Sequence, residues 1–323
     1  MNVTVFAVDG VFDSGLSIVL DVLATATELA RTLPNAATFT ITPVGLGAEV
    51  RTTHGMRLAT TPLAALTERP ELVVIPALGE KDPAGLVDVV RRHPALAWLT
   101  DLHGQRVPLA AACTATFLLG EAGLLDGGPA TTSWWLGSAF RKRYPAVELD
   151  ETRILARAGT LTTAGAAFAH IDLALSVVAG SSPALAELVA RYLVATPRSL
   201  QSAFVVPAVL TRPDPVLTAY ETWVREHLDE PIQISRAARA VGVSERSLQR
   251  ATAAELGMSP IQLVHHIRAD QALHLLRTTD RSLHSITTAV GYRNVGTLRS
   301  LLRRHHGTTP AEVRRALRPH ATV

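Results

Sequence analysis

The chain lacks the features that mark secreted and membrane proteins. Its 323 residues include one cysteine, Cys113, so no disulfide can form within the chain, which is typical of a cytoplasmic protein. It has no uncharged apolar run long enough to cross a bilayer, and its first residues, MNVTVFAVDG, show no basic segment ahead of an apolar one. We therefore expect a cytoplasmic protein with no signal peptide and no membrane partner.

Acidic residues are scarce in only one part of the chain. Residues 1–215 carry 16 basic and 19 acidic side chains, whereas residues 216–323 carry 15 basic and 9 acidic ones. From Arg281 onward there are eight basic residues and one acidic residue, Glu312. A basic region attached to a nearly neutral one indicates that only the C-terminal part binds phosphate groups.

The first 195 residues alternate short apolar segments with amphipathic ones. Apolar strands between amphipathic helices are typical of a parallel sheet that helices cover on both faces. We therefore predict an α/β fold with a doubly wound parallel sheet, which binds ligands beyond the carboxyl ends of its strands. The predicted strands are Val3–Val8, Phe39–Val44, Leu72–Ile75, Val107–Ala112, Arg153–Ala156 and Thr160–Thr162. The predicted helices are Ser14–Thr32, Pro83–Arg92, Leu96–His103, Thr116–Ala122, Trp135–Tyr144, His170–Val178 and Pro183–Leu193.

This alternation stops in a proline-rich stretch at residues 196–215, where we predict a linker. It separates a first domain, residues 1–195, from an all-helical second domain, residues 216–323. In the second domain Ser259 and Thr309 each precede a proline, and both hydroxyl groups are expected to cap a helix.

The last hundred residues contain two helix-turn-helix patterns, whose turn glycines are Gly242 and Gly291. One pattern reads ISRAARAVGVSERSLQRATAAELG (234–257), and the other reads SITTAVGYRNVGTLRSLLRRHHG (285–307). In each, a short helix ends at Ala-Val-Gly and a second helix then carries polar residues on its outer side. Such a helix fits the major groove of B-DNA, and a pair of them allows one chain to read two groove segments one helical turn apart. Double-stranded DNA is therefore the expected partner.

The predicted DNA contacts lie at or on the second helix of each pattern. In the first pattern, Ser244 is expected to cap this helix. Arg246 and Arg250 lie four residues apart, hence on one face of the helix, and their guanidinium groups suit guanine O6 and N7. Arg303 and Arg304 are expected at phosphates, and the alternative for each arginine is a surface ion pair. The other predicted contacts are Ser247, Gln249, Arg293, Asn294, Thr297 and Arg299.

Two such patterns joined by the helical segment 261–277 resemble the AraC/XylS family of transcription regulators, over residues 216–317. The resemblance implies a sequence-specific DNA-binding domain. One departure is that Leu298 and Leu302 stand where such proteins often carry phenylalanine. Both are apolar and expected to face the core, so a different packing of this helix is compatible with DNA binding. The motifs that carry the resemblance are GVS at 242–244, LGMSP at 256–260, VGY at 290–292, Asn294 and GTTP at 307–310.

Cys113 lies in the segment VPLAAACTATFLLGEAGLLDG, where an apolar strand is followed directly by small residues and a helix. This order predicts a sharp elbow that presents the side chain at the edge of the sheet. The helix N-terminus and the N–H groups of Thr114 and Ala115 would favour a thiolate or a bound anion there. The alternative is that the cysteine only fills space in the core.

With the segments ATTSWW (130–135) and TTAGAAFAHIDLAL (162–175), this stretch resembles the ThiJ/PfpI superfamily. The resemblance implies a flavodoxin-like fold related to class I glutamine amidotransferases. Joined to an AraC-type tail, the chain resembles the GlxA-type transcription regulators over nearly its whole length.

The resemblance also locates what the chain has lost. Enzymes of the superfamily pair the elbow cysteine with a histidine and a glutamate, but Ser133 and Gly15 stand at those two positions here. No general base for the thiol is evident, although Asp9, Asp13, His54 and His170 are possible neighbours of the site. We therefore predict a non-enzymatic domain that dimerises and senses a small polar or anionic metabolite, without metal or cofactor. Its predicted ligand site consists of Asp13, Gly79, Cys113, Thr114, Ser133 and Trp134.

Three alternatives stay open for the first domain. It is an active cysteine hydrolase, glyoxalase or amidotransferase; or a redox sensor in which Cys113 is oxidised; or a dimerisation platform without a ligand.

His305 and His306 lack partners at the spacing of metal ligands. The expected partners are a DNA operator, a second copy of the chain, an unidentified small-molecule effector and, for an activator, RNA polymerase.

Overall fold

A computed structural model describes residues 1–34, 36–195, 201 and 214–317. The chain divides into two units, residues 1–201 and 202–323. The predicted linker, 196–215, lies outside the described residues except for Gln201, Asp214 and Pro215, so its bounds stay a prediction.

The first unit is built on a seven-stranded sheet with the order β10-β11-β7-β6-β1-β2-β5. Every described pairing in it is parallel except that of β10 with β11. The predicted parallel α/β sheet is thus confirmed as a mostly parallel, mixed one. The exception arises because only Gly159 and Thr160 connect β10 to β11, and so short a connection permits only antiparallel pairing. The strands of this sheet are β1 (Asn2–Phe6), β2 (Thr40–Gly45), β5 (Thr61–Pro62), β6 (Leu72–Ile75), β7 (Leu109–Ala112), β10 (Leu155–Ala158) and β11 (Leu161–Ala164).

Helices cover both faces of the sheet because the strand side chains alternate between two apolar cores. Val3 and Val5 belong to one core, whereas Phe6 belongs to the other. The helices against the first core are α1 (Asp13–Ala30), α6 (Ala169–Ser181) and α7 (Pro183–Tyr192). Those against the second are α2 (Pro83–Val90), α3 (Ala95–Gly104), α4 (Thr116–Glu121) and α5 (Gly137–Arg143).

Two small two-stranded sheets were not predicted from the sequence. One pairs β8 (Pro129–Ala130) with β9 (Glu148–Leu149), and the other is a hairpin of β3 (Glu49–Arg51) and β4 (Arg57–Ala59). The hairpin matters for the site because Thr52, in its turn, forms an isolated β-bridge with Val11, five residues after the end of β1.

Helices are the regular secondary structure of the second unit's described residues, and they form two lobes with separate apolar cores. The longest helix of this unit, α11 (Pro260–Thr278), belongs to both cores, so it joins the lobes as predicted. It contributes Leu263, Val264 and Ile267 to the first core and Ala269, Ala272 and Leu276 to the second. Among the described residues, no helix is long and apolar enough to span a membrane. The helices are α8 (Pro215–Glu226), α9 (Ile234–Ala240), α10 (Glu245–Leu256), α11 (Pro260–Thr278), α12 (Leu283–Ala289), α13 (Val295–His306) and α14 (Pro310–Leu317).

The predicted helix caps are confirmed. Ser259 and Gln262 form a reciprocal capping box at the start of α11. At α14 the Thr309 hydroxyl accepts a hydrogen bond from Glu312 N, while the Glu312 carboxylate accepts one from Thr309 N. Leu298 and Leu302 are fully buried in the second core, as expected of residues that replace core aromatics.

Candidate nucleic-acid interface and buried cysteine site

The first helix-turn-helix presents α10 with its polar side outward. Gly242 supplies a left-handed turn, φ 76°, and the Ser244 hydroxyl then accepts a hydrogen bond of 3.1 Å from Ser247 N. Leu248, which begins the inner stripe of α10, is fully buried. Since residues two positions from this stripe lie on the opposite side, Arg246 and Arg250 point to solvent.

The second helix-turn-helix repeats this arrangement at α13, which follows the left-handed turn at Gly291, φ 75°. Asn294 caps the helix, because its side-chain oxygen accepts a hydrogen bond of 2.6 Å from Gly296 N. With its side-chain oxygen engaged in this cap, the NH2 group of Asn294 is the part of the amide that remains available as a hydrogen-bond donor. Ser300 also lies on the exposed side of α13 and was not among the predicted contacts. Its position, two residues from the buried Leu298 and from the buried Leu302, was the signal in the sequence that it faces outward.

The exposed arginines of these two helices differ in their pairing. The Nη1 atom of Arg303 lies 3.9 Å from Glu312 Oε1, and both side chains are largely exposed, so this ion pair contributes little to stability. No carboxylate of the described residues pairs with Arg246, Arg250, Arg293, Arg299 or Arg304. Among the residues that the structure describes, no ion pair therefore neutralises the charge of these five arginines. Gln249 and Thr297, the other outward predicted contacts, are also exposed.

Cys113 occupies the predicted elbow between β7 and α4. Its φ of 59° is unusual for a residue with a side chain and marks a strained turn. The prediction of an exposed thiol that favours the thiolate is wrong, because Cys113 is only 4% exposed. Burial raises the pKa of the thiol more than the hydrogen bonds with Ser133 and Thr114 lower it.

Hydroxyl groups surround Cys113 on the side where the superfamily's histidine is expected. The Ser133 Oγ atom lies 2.6 Å from Cys113 Sγ, and the Thr132 hydroxyl donates to the Cys113 carbonyl oxygen over 2.8 Å. Gln201 closes the cluster, because its Nε2 donates to Thr132 O at 2.8 Å and its Oε1 accepts from Ala166 N at 2.9 Å. These buried polar groups satisfy one another and need no water.

His170 fills the space beside Gly15. The imidazole is fully buried, and a Cβ built on Gly15 would lie 2.6 Å from His170 Nε2. Nε2 accepts a hydrogen bond of 3.0 Å from Ala77 N, while Nδ1 donates to Ala167 O, so the ring is neutral. Burial lowers the pKa of His170 to about 4. The ring therefore joins three backbone segments and is not free to act as a base.

Asp13 and the β3–β4 hairpin form the more open part of the predicted ligand site. The Asp13 carboxylate accepts hydrogen bonds from the Thr52 hydroxyl at 2.5 Å and from His54 Nδ1 at 2.8 Å. Burial opposes ionisation of Asp13, but these hydrogen bonds outweigh it and lower its pKa. Gly79 packs tightly against the turn of the same hairpin, because a Cβ at this position would overlap the Thr53 hydroxyl.

The six predicted ligand-site residues divide into two groups. Cys113, Thr114 and Ser133 are buried, and the Thr114 hydroxyl donates to the Leu78 carbonyl oxygen at 2.8 Å, directly before Gly79. Asp13, Gly79 and Trp134 are part-exposed, and Trp134 packs edge-to-face on Trp135 with ring centroids 5.3 Å apart. Within the described ranges, no cluster of three or more histidine, cysteine or carboxylate residues is arranged to hold a metal ion.

The burial of Cys113 predicts a slow thiol. In the native protein at neutral pH, alkylation by iodoacetamide is expected to proceed at least about tenfold more slowly than that of free glutathione, because the reactive thiolate is disfavoured and shielded. Mass spectrometry of timed samples measures the rate, and unfolding in urea should bring it to the glutathione rate. A native rate equal to that of glutathione would show an accessible thiol and would favour the redox or enzymatic alternatives.

Comparisons with known proteins agree with this two-part architecture. A model of the DJ-1/PfpI family matches residues 1–180, and a model described as a helix-turn-helix domain matches residues 237–316. The HTH-type transcriptional regulator GlxA of Rhizobium meliloti is 25% identical over 90% of this chain and 91% of its own length. The HTH-type transcriptional regulator CdhR of Pseudomonas aeruginosa is 29% identical over 69% of this chain and 68% of its own length.

A solved structure supports the fold of the first unit. The crystal structure of an AraC family transcriptional regulator from Pseudomonas putida aligns with a TM-score of 0.50 and 24% sequence identity, over 59% of this chain and 98% of the other. The two family models and the regulators GlxA and CdhR confirm the resemblances to the PfpI superfamily, to AraC-type helix-turn-helix domains and to the GlxA-type regulators.

Proposed function

The chain belongs to the DJ-1/PfpI family and carries a helix-turn-helix domain, and on this basis we propose that it is a transcription regulator that binds a double-stranded DNA operator. The observation that carries the proposal is the pair of capped helices, α10 and α13, whose exposed arginines, apart from Arg303, pair with no carboxylate of the described residues. The α10 arginines, Arg246 and Arg250, read bases, and Arg303 and Arg304 bind phosphate.

The first unit, residues 1–195 as predicted, senses a small molecule and dimerises. The effector site lies at the part-exposed group Asp13, Gly79 and Trp134, with the buried Cys113 cluster as its floor. The Asp13 carboxylate, hydroxyl groups and an indole at this site suit a small polar metabolite that offers hydrogen-bond donors, and the ionised carboxylate disfavours an anionic one. An effector that binds one dimer arrangement more tightly than another would change how the two DNA-binding units meet the operator. An activating role would add a contact with RNA polymerase.

The unit is not an enzyme in this proposal. A cysteine nucleophile needs a base within hydrogen-bond reach, and the nearest side chain to Cys113 Sγ that forms a hydrogen bond is the Ser133 hydroxyl, which is no base at neutral pH. His170, the buried histidine, has both ring nitrogens engaged by the backbone. The test is turnover of glyoxals and aminopeptidase substrates by purified protein. Activity that disappears in Cys113→Ala would support the enzymatic alternative.

The DNA-binding proposal is tested by selection of genomic fragments on purified full-length protein, with bound sites sequenced and the salt dependence recorded. A recurring motif with two halves, each covering adjacent helical turns, is the result expected of a dimer with two reading helices per chain. Weak binding that is uniform across sequences and disappears with salt would reject sequence-specific recognition.

Arg303 is expected to act on affinity rather than on sequence choice. Arg303→Ala should weaken binding evenly across operator variants and lower the slope of log K against log salt by about one, because one phosphate contact is lost. Its ion pair with Glu312, at 3.9 Å, is too long and exposed to hold the guanidinium away from DNA. Fluorescence anisotropy over a salt series measures the slope. An unchanged slope together with altered base preference would move Arg303 to the base-reading set.

A further inference from the structure

Arg268 is the one buried arginine of the described residues, at 6% exposure, and it lies in the middle of α11, between the two lobes. Its Nη2 donates a hydrogen bond of 2.6 Å to the carbonyl oxygen of Glu230, in the segment that follows α8 in the first lobe. The same guanidinium lies over the ring of Tyr292, 4.9 Å from its centroid, in the turn of the second helix-turn-helix. One side chain thus contacts both lobes.

The turn before α13 is packed tightly against this guanidinium. The Leu228 carbonyl oxygen and the Arg268 guanidinium occupy the space where a Cβ of residue 291 would lie, so Gly291 permits a contact that no other residue would. Tyr292 has a second contact with α11, since its hydroxyl lies 2.6 Å from His265 Nδ1. The turn that aims α13 is therefore fixed by α11 and by the end of the first lobe.

Arg268 forms no ion pair with a carboxylate of the described residues. Its Nε is buried without a hydrogen-bond partner, and Glu230 uses its carboxylate for Arg236, at 3.0 Å, while offering Arg268 only its backbone oxygen. A buried guanidinium stays protonated and costs desolvation free energy, whereas an aliphatic side chain would fill the space without that cost. What the planar guanidinium adds is direction, by a hydrogen bond on one edge and ring stacking on its face.

We propose that Arg268 is a positioning residue that fixes the orientation of α13 relative to α10, and through it the spacing between the two base-pair groups that one chain accepts. This rests on the proposed DNA-binding function. The two lobes have separate apolar cores and, of the described helices, share only α11. The contacts of Arg268 with Glu230 and Tyr292 therefore restrain a rotation of one lobe against the other that α11 alone would permit. Two reading helices that enter successive major-groove segments tolerate little error in that rotation.

The first experiment uses distances and needs no DNA. In full-length Cys113→Ala protein, spin labels are attached at Ala253→Cys on α10 and Ser300→Cys on α13, both exposed positions. The labelled chain is diluted in a large excess of unlabelled Cys113→Ala protein, so that a dimer carries labels on one chain only. With Arg268 present, a single narrow distance distribution is then expected. Arg268→Met, which keeps volume but neither stacks nor donates, is expected to broaden or shift the distribution. Arg277→Met, at an exposed position on the same helix, is the matched control and should change nothing.

The second experiment measures spacing on the selected operator and on versions with one base pair added or removed between the groups read by one chain. Wild-type protein is expected to lose at least about tenfold in affinity for each altered spacing, as it would for a mismatched base pair. Arg268→Met should bind the selected operator about tenfold more weakly yet discriminate between spacings by less than about threefold. Arg268→Lys, which keeps charge without the planar group, should resemble Arg268→Met.

The outcomes separate the two proposals. An unchanged distance distribution and unchanged spacing preference in Arg268→Met would overturn the positioning role. Wild-type behaviour of Arg268→Lys would also overturn it, in favour of charge alone. A broadened distribution in a protein that selects no operator would uphold the positioning role while rejecting the proposed function. If Arg268→Met fails to fold by circular dichroism, Arg268→Lys carries both measurements.

Discussion

Replacement of Arg246 or Arg250 by alanine is expected to weaken binding to the selected operator by about 1–3 kcal/mol, which is roughly 5- to 150-fold, and to relax base preference at one position. In the proposed complex each guanidinium is expected to make two hydrogen bonds to a guanine in the major groove, and the alanine variant would leave those base atoms without a partner. Both side chains are exposed, and the inner stripe of α10 excludes them, so the fold should be unaffected.

The measurement is competitive binding against a panel of single-base operator variants, at fixed salt. Arg92→Ala, which removes an exposed arginine in the first unit, is the control for net charge. Equal affinity and equal base preference in Arg246→Ala and wild type would mean that α10 does not read DNA. Loss of affinity with unchanged base preference would move that arginine to the phosphate-binding set.

The second large effect is a loss of stability of the first unit in acid, which we assign to His170. Its pKa is lowered to about 4 in the folded protein from 6.5 in the unfolded chain. Below the unfolded value the unfolded chain takes up a proton that the native state refuses, so unfolding becomes more favourable as the pH falls. The stabilisation is complete above pH 6.5, and roughly 3 kcal/mol of it is lost by pH 4, at about 1.4 kcal/mol per pKa unit.

Urea unfolding at a series of pH values tests this effect. In a Trp223→Phe background the remaining tryptophans, Trp98, Trp134 and Trp135, all report on the first unit. His170→Gln cannot titrate, so its stability should fall by about 3 kcal/mol less than that of His170 protein between pH 6.5 and pH 4.

Two histidines bear on the interpretation of that series. His93, whose pKa burial also lowers, leaves a residual pH dependence in His170→Gln. His54→Gln, which removes an exposed histidine, should retain the full loss. If His170→Gln lost stability in acid as steeply as the unmodified protein, the buried imidazole would not be the group responsible.

Local signals in the sequence located most secondary structure. Leu72–Ile75 is apolar throughout and was predicted to the residue, and Ser244 and Ser259 cap the helices that their hydroxyl groups indicated. The β3–β4 hairpin was missed because its strands have three residues each, too few for alternation to be recognised. Element type thus follows from local pattern wherever the segment is long enough to show a period.

The site was harder to predict, because burial is decided by residues distant in the chain. Cys113 is covered by Ser133 and, through Thr132, by Gln201, which lies 69 residues beyond Thr132. Arg268 looks like any polar residue of an amphipathic helix, and only contacts with Glu230 and the following helix-turn-helix bury it. The exposed arginines of α10 were easier, since the period of one helix separates outer from inner positions.

The close fit of His170 against Gly15 limits which substitutions the domain can accept in its later evolution. Glutamate at position 15 would collide with the imidazole, and histidine at position 133 would need room where Ser133 is fully buried beside Cys113. Each substitution made alone overpacks the core, at a cost of about 1–3 kcal/mol, before any activity is gained. A lineage that acquires these two residues one at a time therefore passes through less stable intermediates. For a domain that descends from an enzyme, this stability cost opposes a return to the cysteine, histidine and glutamate set by single steps and leaves ligand recognition as the property that is easier to change.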